Sequence, residues 1–129
     1  MKIHFAAVLA ALLLAGCAAS PQKATYRCIN MSEAVEMMNT AQDYIILDVR
    51  TPEEYAEKHI PGAVNVPNET IGISDVKELP EKDQLILVYC RSGNRSKQAS
   101  QKLADLGYTN IVEFGGINSW PGATVSETQ

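Results

Sequence analysis

Two unbroken apolar runs, Tyr44-Ile45-Ile46-Leu47 and Leu85-Ile86-Leu87-Val88-Tyr89, constrain this chain more than any other feature. A strand with one face in water alternates polar and apolar residues, whereas a run without alternation is buried on both faces. That arrangement arises where helices cover both sides of a parallel sheet. The first run ends at Asp48 and the second at Cys90. Each therefore delivers a chemically capable side chain to the carboxyl end of a strand, where open α/β sheets place their active crevices.

The segments around these runs supply the rest of an alternating pattern. Asn30 or Ser32 can cap a short helix carrying Ala34, Val35, Met37 and Met38, with Glu33 and Glu36 near its positive end. Thr51-Pro52-Glu53-Glu54 opens a second helix with a hydroxyl cap, a proline at the first position and acids in the first turn. Ile60-Pro61-Gly62-Ala63 reads as a turn feeding the short strand Val64-Asn65-Val66. Pro67 to Asp83 reads mostly as polar connection, with a helical turn around Ser74 to Leu79. A helix beginning near Asn94 or Ser96 puts Ala99, Leu103 and Leu106 on one stripe and stops at Gly107. Ile111 to Phe114 gives a last strand, after which Gly115-Gly116 turns the chain into a terminal segment holding Trp120. Cys28 reads as a buried strand cysteine. Strands alternating with helices predict a parallel α/β architecture.

With 129 residues, 46% hydrophobic and 20% charged, the chain suits one globular domain. Its formal charge of -4 argues against nucleic acid or an anionic membrane surface as a natural partner. No His/Cys/carboxylate cluster has metal-ligand spacing and no Gly-rich nucleotide fingerprint occurs, so neither metal nor cofactor is expected.

The N-terminus is set apart. Lys2 precedes an apolar run from Phe5 to Leu14, too short for a spanning helix of ~20 residues but suited to a signal peptide. Leu14-Ala15-Gly16-Cys17 is similar to a bacterial lipobox. That resemblance implies a signal peptide over 1–16, lipidation of Cys17 and a small polar tether over 17–25 that holds the protein to a membrane. The expected location is the cell envelope facing the periplasm. Ala18 after the cysteine favours the outer membrane in a Gram-negative host.

Cys90-Arg91-Ser92-Gly93-Asn94-Arg95-Ser96 carries the chemistry. Gly93 permits a positive φ, so that successive backbone N–H groups converge on one point, and the following helix adds its own unpaired N–H groups and dipole. The first anion to profit is the Cys90 thiolate, whose pKa should fall from ~8.5 toward neutrality. The segment from Arg91 to Lys102 carries four basic residues and no acid, a local field suited to an anionic substrate.

Asp48-Val49-Arg50, His59-Ile60-Pro61-Gly62-Ala63, Tyr89 through Ser96, and Gly115-Gly116 before Trp120 occur in register. In this the chain, over about Thr25 to Pro121, resembles a single-domain rhodanese. The resemblance implies a rhodanese-like domain over 26–122, a central mostly parallel sheet of about five strands flanked by helices, and a short tail over 123–129. It also implies a thiosulfate sulfurtransferase, without cofactor and monomeric. Its Cys90 would take a sulfane sulfur from a small anionic donor and pass it to cyanide or a thiol. Rhodaneses typically span six residues from cysteine to closing arginine, as from Cys90 to Arg95 here. Phosphatases and arsenate reductases of the same fold use one residue more and form the enzymatic alternative. A non-catalytic anion-binding or sensing module is the other.

Within this frame Arg91 and Arg95 are the substrate-side cations, Arg95 also anchoring the loop through a carboxylate such as Asp48. Ser92 and Asn94 contribute backbone N–H groups, with Gly93 and Ser96 completing the cradle. Asp48 and Arg50 support the site as an ion pair tying strand to loops. His59 fits a structural hydrogen bond before the Pro-Gly turn better than general-base work. Cys28 is the one thiol that competes with Cys90 after lipidation of Cys17, and Cys90 is expected to stay free.

Overall fold

The computed structural model describes residues 24–127. The expected signal peptide over 1–16, Cys17 and most of the expected tether over 17–25 lie outside the described residues. Five strands form one sheet in the order β1-β5-β4-β2-β3, every pair parallel. They are β1 (Arg27–Cys28), β2 (Tyr44–Asp48), β3 (Val64–Asn65), β4 (Leu85–Cys90) and β5 (Ile111–Gly116). The two apolar runs are the paired central strands β2 and β4, in register from Tyr44 opposite Leu85 to Asp48 opposite Tyr89.

Helices cover both faces. α1 (Met31–Thr40) starts at Asn30, whose side chain accepts from the Glu33 N–H at 2.8 Å while Glu33 reaches back to the Asn30 N–H. α2 (Pro52–Glu57) is capped the same way by Thr51 and Glu54. Such reciprocal caps satisfy donors that a helix start otherwise leaves unpaired. One core joins Ala34 of α1 to Ile46, Leu87, Tyr89, Val112 and Phe114. The other joins Ala99 and Leu103 of α3 (Asn94–Asp105) to Leu47, Ile86, Val88 and Cys90. Adjacent β4 residues thus face opposite cores, as a pleated strand requires. Leu103 is fully buried, and truncating such a leucine to alanine costs about 2–5 kcal/mol.

Three expectations are corrected. Cys28 is exposed, because β1 is a two-residue edge strand paired only with β5. The 67–83 connection has no helical turn over 74–79 beyond a single Val76–Leu79 hydrogen bond of 2.9 Å. It is also less polar in effect than in composition: Ile71, Val76 and Leu79 are buried, and the Tyr108 hydroxyl donates to the Leu79 carbonyl at 2.7 Å. Finally, Gly115-Gly116 is not a turn but the end of β5. Val88 pairs with Glu113 and Cys90 with Gly116, so β5 takes one extra residue there, a bulge with Gly115 at φ 98°.

The tail is also tied down as far as it is described. Val125 forms an antiparallel bridge with His59, and the Glu127 N–H donates to the Ala56 carbonyl at 2.7 Å.

Candidate active site

Cys90 ends β4 and is 1% exposed. The chain then bends through Arg91, Ser92 and Gly93 into α3. Gly93 adopts φ 117°, a left-handed conformation that a β-carbon would strain. This turn brings the Gly93 N–H to 3.0 Å from Cys90 Sγ. A second glycine makes room from below. A β-carbon on Gly116 would overlap the Arg91 carbonyl, so the loop can lie directly on the end of β5 only because that residue has no side chain.

Burial pushes the Cys90 thiol up, but hydrogen bonds at Ser96 and from the Gly93 and Ser92 N–H groups pull it further down. The net direction is below the ordinary cysteine value, the condition for a nucleophilic thiol. Gly93 and Ser96 are buried beneath the sulfur, whereas Arg91, Ser92 and Asn94 are exposed at the rim. Asn94 makes no side-chain hydrogen bond among the described residues.

Both loop arginines meet one carboxylate, and it is not Asp48. Arg95 grips Glu54 with two hydrogen bonds, Nη1 to Oε1 at 2.6 Å and Nη2 to Oε2 at 3.0 Å. Arg91 adds Nε at 3.1 Å and Nη2 at 2.9 Å, both to Oε2. Hydrogen bonds from Arg95 foremost, with others from Thr51 and Arg91, hold the Glu54 carboxyl far below the usual range despite its burial. Sequence reading placed Glu54 only in the first turn of α2. Its role needed the tertiary fact that α2 starts beside the cysteine loop.

Asp48 is occupied elsewhere. Fully buried, it accepts from Arg50 Nη2 at 2.7 Å, the Arg50 N–H at 3.0 Å and the Tyr89 hydroxyl at 2.6 Å. Arg50 Nη2 also donates to the Lys58 carbonyl at 2.7 Å. Burial and the Asp48 carboxylate push the Tyr89 phenol well up, so it stays a neutral donor. His59 is a buried scaffold group: its ring stacks on Tyr55 and its Nδ1 lies 2.8 Å from the Tyr55 carbonyl. Trp120 packs partly buried against the α1-side core and donates from Nε1 to the Ala123 carbonyl at 3.0 Å.

One functional candidate was missed altogether. Glu113, 2% exposed in β5, accepts from the Ser96 hydroxyl at 2.6 Å directly behind the cradle. An acid inside the apolar run Ile-Val-Glu-Phe was the available signal. On the other side of Arg91 a cavity of about 220 Å³ is lined by Arg50, Glu57, Lys58, Arg91, Ile117 and Asn118. A further hollow, about 440 Å³ along α1, shares no residue with the cysteine loop. Among the described residues no His/Cys/carboxylate group is arranged to hold a metal, and both cysteines are free.

A six-residue loop that presents a buried, acidified sulfur can be compared with known proteins. The rhodanese-like domain model matches residues 30–123. The chain belongs to the rhodanese-like family. It is 37% identical over 71 residues to the thiosulfate sulfurtransferase PspE of Escherichia coli strain K12, covering 55% of this chain and 68% of that protein. It is 37% identical over 93 residues to a sulfurtransferase of Allochromatium vinosum, covering 71% of this chain and 85% of the relative. Other curated relatives are much longer, and the chain spans only 20% and 26% of two of them. Among solved structures, a rhodanese with anions from E. coli aligns with a TM-score of 0.55 and 34% identity, over 64% of this chain and 98% of that one. The rhodanese-like domain with its sulfurtransferase homologues supports sulfurtransferase activity in general.

Proposed function

We propose that the protein moves a sulfane sulfur from a thiosulfate-type donor to a thiophilic acceptor through a persulfide on Cys90. The observation that carries this reading is the Cys90 sulfur itself, held 3.0 Å from the Gly93 N–H and acidified although buried. The thiolate attacks the outer sulfur of the donor, a new S–S bond forms, and sulfite departs with the electron pair of the broken one. Cyanide or a thiolate then attacks the outer sulfur of the persulfide and Cys90 leaves as thiolate. Neither step requires a separate base once the thiol is ionised, in keeping with His59 facing Tyr55.

The donor is an anion, and the loop arginines that would meet it are held by Glu54. An incoming sulfonate therefore competes with that carboxylate, which makes Arg91 and Arg95 exchangeable contacts. The named function of the E. coli relative supports thiosulfate as donor. The six-residue loop favours sulfur over phosphate chemistry. Incubation with thiosulfate followed by intact-mass measurement tests the proposal. A one-sulfur adduct that maps to Cys90 and is lost in Cys90→Ser is expected, whereas no adduct together with turnover of phosphate esters or arsenate would overturn it. We further propose that Cys17 carries the lipid anchor and places the domain on the periplasmic side of the envelope. Palmitate labelling that persists in Cys17→Ser would refute this.

A further inference from the structure

Glu113 puts a carboxylate where β5 otherwise presents apolar side chains, opposite Val88 on one neighbour and Cys28 on the other. Its Oε2 accepts from the Ser96 hydroxyl at 2.6 Å and from the Gly115 N–H at 2.8 Å. The same Ser96 oxygen lies 2.9 Å from the Gly93 carbonyl, 3.4 Å from the Gly115 carbonyl and 3.4 Å from Cys90 Sγ. A serine hydroxyl has one proton to give. Of its four neighbours the carboxylate is closest and carries charge, so the proton goes there. The lone pairs of Ser96, and not its proton, are then left to face the sulfur, where a protonated Cys90 can donate to them.

We propose that Glu113 is a positioning residue for Cys90: it draws the Ser96 proton to its own carboxylate and so withholds a hydrogen bond from the sulfur. The inference rests on Cys90 being the nucleophile of the proposed sulfur transfer. Backbone N–H groups of Ser92, Gly93 and Ser96 already stabilise the thiolate. A thiolate stabilised still further is more abundant but attacks more slowly, because nucleophilicity falls with basicity. A buried negative charge one hydroxyl away opposes that excess. Glu113 thus acts as the counterweight to the cradle.

Other groups face the same cluster. Arg95 and Lys97 come from the first turn of α3, Lys97 Nζ lying 3.5 Å from where a β-carbon of Gly93 would be. Tyr26 and Cys28 come from the β1 side, and both are pushed up first by burial, with Glu113 contributing. The cations favour both anions, so they do not replace the Ser96 contact as the link between Glu113 and Cys90.

The test is the rate at which iodoacetamide alkylates the Cys90 peptide across pH, read by mass spectrometry in the full chain so that Cys28 is scored separately. In Glu113→Gln the inflection moves to lower pH. If the thiolate fraction rises tenfold at acid pH, a Brønsted slope of about 0.5 leaves alkylation about threefold faster there and about threefold slower on the alkaline plateau. Ser96→Ala alone leaves the inflection nearly in place, and in that background Glu113→Gln moves it by less than half as much. An inflection that stays or rises in Glu113→Gln overturns the proposal. So does a marked rise in Ser96→Ala, which would mean that the hydroxyl donates to sulfur after all, and this variant decides the matter if Glu113→Gln does not fold. Alkylation needs no sulfur donor, so a failure to form persulfide would sink the sulfur-transfer reading without disturbing this result.

Discussion

The molecule contains two arginine–carboxylate sites within a few residues of each other in sequence, and they are built for opposite ends. Asp48–Arg50 is closed, with side chains 0% and 3% exposed, and the tyrosine of the neighbouring strand completes it. Glu54–Arg95–Arg91 is open, with side-chain exposure rising from 15% to 32% to 57% along the series. The same pair of functional groups therefore locks strand ends together in one place and leaves a solvent-accessible clamp beside the Cys90 loop in the other. Solvent access decides which. A dry pair left half-empty strands a charge, while a wet pair can exchange its partner for a substrate anion at small cost.

The largest effect should come from breaking the closed pair. Asp48→Ala leaves the Arg50 guanidinium buried without its counter-charge and the Tyr89 hydroxyl without its acceptor. A loss of about 3 kcal/mol or more in unfolding free energy is expected from urea denaturation. A loss below about 1 kcal/mol, the range of exposed pairs, would erase the distinction between the two sites.

How much of this was legible from residues alone follows the same division between local and tertiary causes. The buried strands, the Asn30 and Thr51 caps, the Gly93 turn and the cysteine at a strand end all depend on near neighbours in sequence, and the pattern exposes them. The parallel α/β architecture followed from those elements, and the rhodanese-like fold with its five-stranded sheet from the family resemblance that the motifs carry. Partner choice did not. Asp48 and Glu54 are both acids flanking Arg50, and nothing in their spacing says that Arg95 meets the second, because that depends on where α2 starts in space. Cys28 looked buried because its strand was visible and the strand's edge position was not. Glu113 escaped notice for a related reason: an acid in an apolar strand becomes informative only when the hydroxyl opposite it is known.

A middle-sized effect should distinguish the clamp by pH. The folded Glu54 carboxyl is held far below its unfolded value of about 4.3. Its contribution is therefore fully present above that value and is lost as pH falls toward the folded pKa. With the arginines partly in water, the part that disappears between about pH 5 and about pH 3 should be near 1 kcal/mol after screening. Denaturation of wild type and Glu54→Gln at the two pH values measures it as the difference of differences. Equal acid sensitivity in both proteins would remove Glu54 from the account.

The smallest effect on stability, and the sharpest on function, belongs to Arg91. Its guanidinium reaches a single oxygen of Glu54 and its side chain is 57% exposed, so Arg91→Ala should change unfolding free energy by less than about 0.5 kcal/mol. Arg95 grips both oxygens from the first turn of α3, and its removal should disturb the loop as well as the field. If the clamp releases its arginines to an anionic donor, Arg91→Ala raises KM for thiosulfate several-fold and leaves kcat nearly unchanged, because the lost interaction is uniform binding and not support of the sulfur. That KM difference should shrink as salt is added, since a rim charge is screened within about 8 Å at physiological ionic strength. A fall in kcat equal to that of Arg95→Ala, insensitive to salt, would mean that Arg91 holds the cradle and that the open site is as structural as the closed one.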